Sequence, residues 1–128
     1  MKELYQGADW KAEKHVPVID VPEAVSGDAP AKVTVIVGKE IAHPNTTEHH
    51  IEWIDLFFQP EGDKFPYLVG RFTFSAHGAS AEGANTSTVL CEPEVVCALR
   101  TAKSGTLHAA SYCNIHGLWE SSAELRVA

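Results

Sequence analysis

Period-two patterning recurs along this chain, and no stretch keeps three or four turns of helical periodicity, so strands rather than helices are its building material. Val33, Val35 and Val37 alternate with Lys32, Thr34 and Ile36, and Val95, Cys97 and Leu99 alternate with Glu94, Val96 and Ala98. Leu68, Gly70, Phe72 and Phe74 alternate in the same way with Val69, Arg71, Thr73 and Ser75. Successive strand side chains point to opposite faces, so each of these segments commits one face to a core. Residues 50–59 predict a longer strand that is apolar on both sides: Ile51, Trp53 and Phe57 on one face, Ile54, Leu56 and Phe58 on the other. One of those faces is expected to meet an opposing sheet, the other a covering loop or a neighbouring subunit. Further strands are expected at 16–21, 86–90, 106–113 and 123–127, with a turn-rich connection at 60–66 and a small-residue loop at 77–85. A short helix over 7–13 is permitted but not required. Short strands separated by such loops predict an all-β sandwich.

At 128 residues, 45% of them hydrophobic, the chain is long enough to bury one core, and a single domain over 1–128 is expected. The formal net charge of -7 disfavours broad attraction to nucleic acid or to an anionic membrane, so any anionic substrate must be drawn in locally. The first fifteen residues lack the apolar core and small-residue site of a secretory leader, and no apolar run is long enough to span a bilayer. A cytoplasmic protein is expected.

Three cysteines, Cys91, Cys97 and Cys113, cannot all pair within the chain, and Cys91 and Cys97 are expected to be buried thiols. Cys113 differs because His116 follows at Cys-x-x-His spacing, where a strand yields to a turn marked by Asn114 and Gly117. A tight bend there can aim both side chains at one ion while backbone N–H groups point at the sulfur. The same pair also suits a nucleophilic thiol with a histidine base, or a buried thiol beside an unrelated histidine.

His43 and His49 stand at the two ends of a Pro-Asn-Thr-Thr turn and can converge from both sides of that loop. His50, as the strand neighbour of His49, points the opposite way and is not expected to share its ion. Glu13 and His15 share a face if their segment is extended, although Glu-Lys-His also fits a solvated charged stretch. His77 and His108 lack a partner at useful spacing and are expected to be ordinary exposed or hydrogen-bonded residues. The zinc-protease HExxH, the dinucleotide and phosphate glycine loops, the GxSxG elbow and a basic-aromatic nucleic-acid surface are all missing from the sequence.

Taken together, EKHVP at 13–17, GKEIAHPNTTEHHIEWI at 38–54 and YCNIHGLW at 112–119 resemble the superoxide reductase family, in particular its one-iron, neelaredoxin-type members. The resemblance implies an immunoglobulin-like β-sandwich and one iron per chain, with His15, His43, His49 and His116 as equatorial ligands and Cys113 as the axial thiolate. It implies one-electron reduction of superoxide to hydrogen peroxide, with rubredoxin as the electron donor and a homodimer or homotetramer as the assembly. Glu13 matches the residue expected at the sixth position of the resting ferric metal. Lys14 is expected to supply a local positive field for superoxide in an otherwise acidic chain.

The chemistry is coherent with that resemblance, because imidazole and thiolate suit iron and five ligands leave one octahedral position open for a small anion. A cupredoxin-like electron carrier is the nearest alternative, but Met1 is the only methionine and four candidate histidines exceed the usual two. A structural zinc module would need only four ligands and no redox chemistry.

Overall fold

A computed structural model describes every residue from Met1 to Ala128. Eight strands form in chain order: β1 Tyr5–Gln6, β2 Pro17–Asp20, β3 Ala31–Val37, β4 Ile51–Pro60, β5 Tyr67–Thr73, β6 Glu94–Leu99, β7 Gly105–Cys113 and β8 Gly117–Leu125. They make two sheets, one ordered β1-β8-β7-β4-β5 and the other β2-β3-β6. Pairing is antiparallel except between β1 and β8, which run parallel. The result is an immunoglobulin-like β-sandwich, and no helix is long and apolar enough to cross a membrane.

The valines of β3 explain how the layers close. Val33, Val35 and Val37 are buried against Ile54, Leu56 and Phe58 of β4, Leu107 of β7 and Leu125 of β8, in one cluster that also contains Cys113. Their branched side chains fit a pleated surface, and each fully buried aliphatic side chain contributes roughly 1.5–3 kcal/mol.

The opposite face of β4 carries Asp55, which is buried and held by the Arg71 guanidinium through Nε and Nη2 at 3.2 and 3.1 Å. Trp53 lies beside Tyr112 on that same face, with ring centroids 5.8 Å apart.

Two irregularities in β4 alter the expected faces. The ladder with β7 shifts register between Ile51 and Trp53, which turns Ile51 into the core rather than leaving it beside Trp53 and Phe57. The ladder with β5 shifts between Leu56 and Phe57, leaving Leu68 exposed while Val69 and Phe72 pack on the core. Each bulge moves the residues beyond it to the other side of the sheet.

Three boundaries also differ from the sequence reading. Residues 86–90 form no strand; Leu90 makes only an isolated bridge to His77, and Gly78 O accepts from both Thr86 N and Ser87 N. β-prone residues without a ladder partner stay in a loop. The last strand begins at Gly117 rather than 123, because its polar SSAE stretch hides a face that still buries Trp119 and Leu125. Residues 7–13 form turns, and the helical turn is a short 3-10 segment at Lys2–Leu4.

Cys91 and Cys97 are free and half-buried, not fully buried, and burial pushes the Cys97 thiol up. If the face assignment of the sandwich is correct, Ile54→Ala should lose about 3 kcal/mol of stability through cavity formation. Val96→Thr, on the exposed face of β6, should change it by less than about 0.5 kcal/mol, both measured by urea unfolding.

Candidate metal centre

One end of the sandwich gathers three separate pieces of chain. Pro17 of β2 pairs with Val37 of β3, which places His15 beside the loop that leaves β3. That loop returns at Ile51, which pairs with Cys113, the last residue of β7. A three-residue turn, Asn114 to His116, then leads into β8 through Gly117, whose φ of 84° suits a residue without a Cβ.

Cys113 is fully buried and its sulfur accepts the backbone N–H of His116 at 3.3 Å. This is the bend-to-thiolate geometry expected from the Cys-x-x-His spacing. The His116 ring stands with Nδ1 3.8 Å from that sulfur and 3.1 Å from His15 Nε2. His15 is buried, stacks on Trp119 at 4.9 Å with 14° between planes, and receives the Ser111 hydroxyl on its carbonyl.

The tautomers follow from the outer partners of each ring. His15 Nδ1 lies 2.6 Å from Glu13 Oε1, and His43 Nδ1 lies 2.6 Å from the Pro44 carbonyl. Each of those nitrogens therefore carries the proton, leaving a lone pair on Nε2. The Nε2 atoms of His43 and His49 are buried and have no hydrogen-bond partner. A buried polar atom with no partner is costly, and a metal ion is the partner that two orphaned imidazole nitrogens beside a thiol fit.

The four rings form a closed square. Centroids are 4.8 Å apart for His15–His43 and His43–His49, 5.0 Å for His49–His116 and 4.8 Å for His116–His15, with a longer His15–His49 diagonal of 6.5 Å. Ligand atoms of His15, His43, His49 and Cys113 all lie within 4.8 Å of one another. His116 is not among those four, although its ring closes the square and its Nδ1 lies 3.8 Å from the Cys113 sulfur. The mixture of imidazole and thiolate suits a borderline transition metal such as iron.

Electrostatics keep His43 and His49 in the neutral form that a metal needs. Burial pushes His43 down to about 4, helped by His15, His49 and Lys14. Burial also lowers His49, with His116, His15 and Lys14 adding to the effect. The bond from His15 holds the Glu13 carboxyl below its usual range, and Lys14 sits half-buried between those two residues in sequence.

Residues that spacing did not reveal hold the ligand loop. Gly38, at φ 85°, lies so close to His43 that a Cβ would meet its backbone nitrogen at 2.6 Å. His77 is buried, with Nδ1 2.9 Å from Asn45 Oδ1, while Asn45 Nδ2 donates to Cys91 O at 2.8 Å. Asn85 accepts from Thr47 N and donates to both Glu48 carboxylate oxygens. His50 stacks flat on His77 at 3.6 Å, away from the square, and His108 is exposed on the outer sheet. The bonds of Asn45 to His77 and of Asn85 to Thr47 and Glu48 join residues more than thirty apart, so no local pattern announces them.

The desulfoferrodoxin family profile matches residues 7–122. Neelaredoxin from Megalodesulfovibrio gigas is 57% identical over 122 residues, covering 95% of this chain and 94% of that protein. Superoxide reductase from Pyrococcus furiosus is 55% identical over 125 residues and covers 98% of both. The solved structure of superoxide reductase (neelaredoxin) from Archaeoglobus fulgidus in the reduced form has a TM-score of 0.90 at 63% identity, covering 96% of this chain and 98% of that one.

The ordinary histidine value of 6.5 lies above that of folded His43, so on acidification the unfolded chain takes up a proton which the folded chain refuses. Chelator-treated protein should accordingly lose stability as pH falls from 6.5 towards about 4, read as a falling thermal midpoint. His43→Asn should flatten that slope.

Proposed function

Because the chain belongs to the desulfoferrodoxin family, we propose that one iron per chain is held by the imidazoles of His15, His43, His49 and His116 and by the thiolate of Cys113. The protein is a superoxide reductase of the neelaredoxin type, an oxidoreductase that adds one electron and two protons to superoxide and yields hydrogen peroxide. The observation that carries the ligand set is the pair of orphaned, buried Nε2 atoms on His43 and His49, facing the same small space as the Cys113 sulfur.

Iron, when bound, supplies the one-electron couple; the side chains set its surroundings. Cys113 contributes a strongly donating anion, and the His116 N–H bond to its sulfur moderates that charge. Glu13 fixes the His15 ring through Nδ1. We also propose that the Glu13 carboxylate would serve as a further, hard oxygen ligand to the oxidised metal, a role that would compete with its hold on His15 Nδ1. Lys14 supplies a flexible ammonium that draws superoxide towards a chain of net charge -7 and orders a proton-donating water.

The electron is taken from an outside donor, which we assign as rubredoxin. The whole of 1–128 acts as one cytoplasmic domain, assembled as a homodimer or homotetramer through a face such as that of β4 which carries Trp53 and Phe57.

Metal analysis of the purified protein should give iron at one per chain; copper with an intense blue band, or redox-silent zinc, would overturn the assignment. Anaerobic mixing with superoxide should give peroxide without stoichiometric oxygen, whereas matching oxygen release would mean dismutation. Lys14→Ala should slow superoxide capture about tenfold and flatten its dependence on ionic strength while leaving the thiolate-to-iron absorption band in place. Cys113→Ser should abolish that band together with turnover.

A further inference from the structure

The ladder between β4 and β7 ends at Ile51 and Cys113, where the two chains must part so that one can carry His116 around the turn and the other can carry His49 into its loop. Parting strands leave backbone groups without partners. Here one residue supplies them. Asn114 N donates to His50 O at 3.2 Å, continuing the ladder by one step. Its side chain then goes further: Nδ2 donates to Glu48 O at 2.8 Å, and Oδ1 accepts from His50 N at 2.9 Å.

The two main-chain groups on either side of His49 are thus gripped by a single amide. A carbonyl demands the NH2 end and an N–H demands the oxygen end, so the amide has only one workable orientation. Asn114 is covalently next to Cys113, and these bonds fix the backbone of His49 relative to the sulfur.

The other restraints on His49 come from within its own loop, through Thr46. They shape the turn without tying it to β7.

We propose that Asn114 is a positioning residue for the metal centre, setting the reach of the His49 imidazole relative to the Cys113 thiolate. The inference rests on the ligand set proposed above. A residue that fixes a ligand's backbone preorganises the site, and loss of such outer support typically costs about 10–100-fold in metal affinity. Asn114→Asp is the informative variant. It keeps the shape and the acceptor for His50 N–H but turns an oxygen against the Glu48 carbonyl. Asn114→Ala removes both side-chain bonds.

Both variants should raise the iron(II) dissociation constant about tenfold or more and shift the ferric thiolate-to-iron absorption band. The gap between the thermal midpoints of iron-loaded and metal-free protein should also narrow, since that gap reports binding. If both midpoints fall equally, with dissociation constant and band as in the wild type, Asn114 supports only the fold and the inference is wrong. Should Asn114→Ala not fold, the isosteric aspartate carries the same comparison. A wild-type chain that takes up no iron would remove the ligand set itself, and with it this inference.

Discussion

Two buried ring nitrogens, His43 Nε2 and His49 Nε2, have no hydrogen-bond partner, and much of one end of the sandwich is built to keep them that way. Left alone, such atoms cost about 1–3 kcal/mol each, so a fold that retains them depends on something outside the chain to repay the cost. The outer nitrogens are tied down first: His43 Nδ1–H donates to Pro44 O, and His15 Nδ1–H donates to the Glu13 carboxylate. Burial and the neighbouring Lys14 then hold the His43 and His49 rings neutral. What results is a buried cluster of metal-ligating atoms, suited to a cation and, at His43 and His49, hostile to a proton.

The β-sandwich supplies the rigidity that this arrangement needs. Cys113 belongs to the same buried cluster as the β3 valines and Leu107, so its sulfur is part of the core rather than an appendage. The imidazoles come from loops and a turn, and these are held against the sandwich by stacking, close packing and hydrogen bonds. His15 is stacked on Trp119, His43 is hemmed in by Gly38, and the 43–49 loop is bonded to His77 and Asn85. Soft segments thus acquire fixed geometry from neighbours distant in sequence.

Sequence legibility followed the range of the interactions involved. The faces of β3 and β6 could be read directly, since alternation is a property of one strand: Val33, Val35 and Val37 are buried and Val96 is exposed. His50 does stand apart from His49, stacked on His77, although both lie in the loop before β4 rather than in the strand whose alternation separated them. Ile51 and Leu68 were placed on the wrong faces because a bulge depends on pairing between strands, which periodicity within one strand does not encode. Residues 86–90 have strand composition, yet no neighbouring strand is available to them beyond a single bridge. The approach of His15, His43, His49 and Cys113 was legible through family resemblance and local spacing. The grip of Asn114 and the burial of His77 were not, because an asparagine in a turn and a histidine in a small-residue loop look alike whether or not they hold another segment.

The segment from Gly7 to Val16 joins β1, which lies against β8 in one sheet, to β2, which lies against β3 in the other. It is therefore a strap across the seam of the sandwich, and it carries Glu13, Lys14 and His15. Any shear of one layer over the other is felt there as tension. The crossing between the layers thus carries three residues of the metal-centre region, so mechanical loosening of the layers would register at His15 before the valine core had come apart.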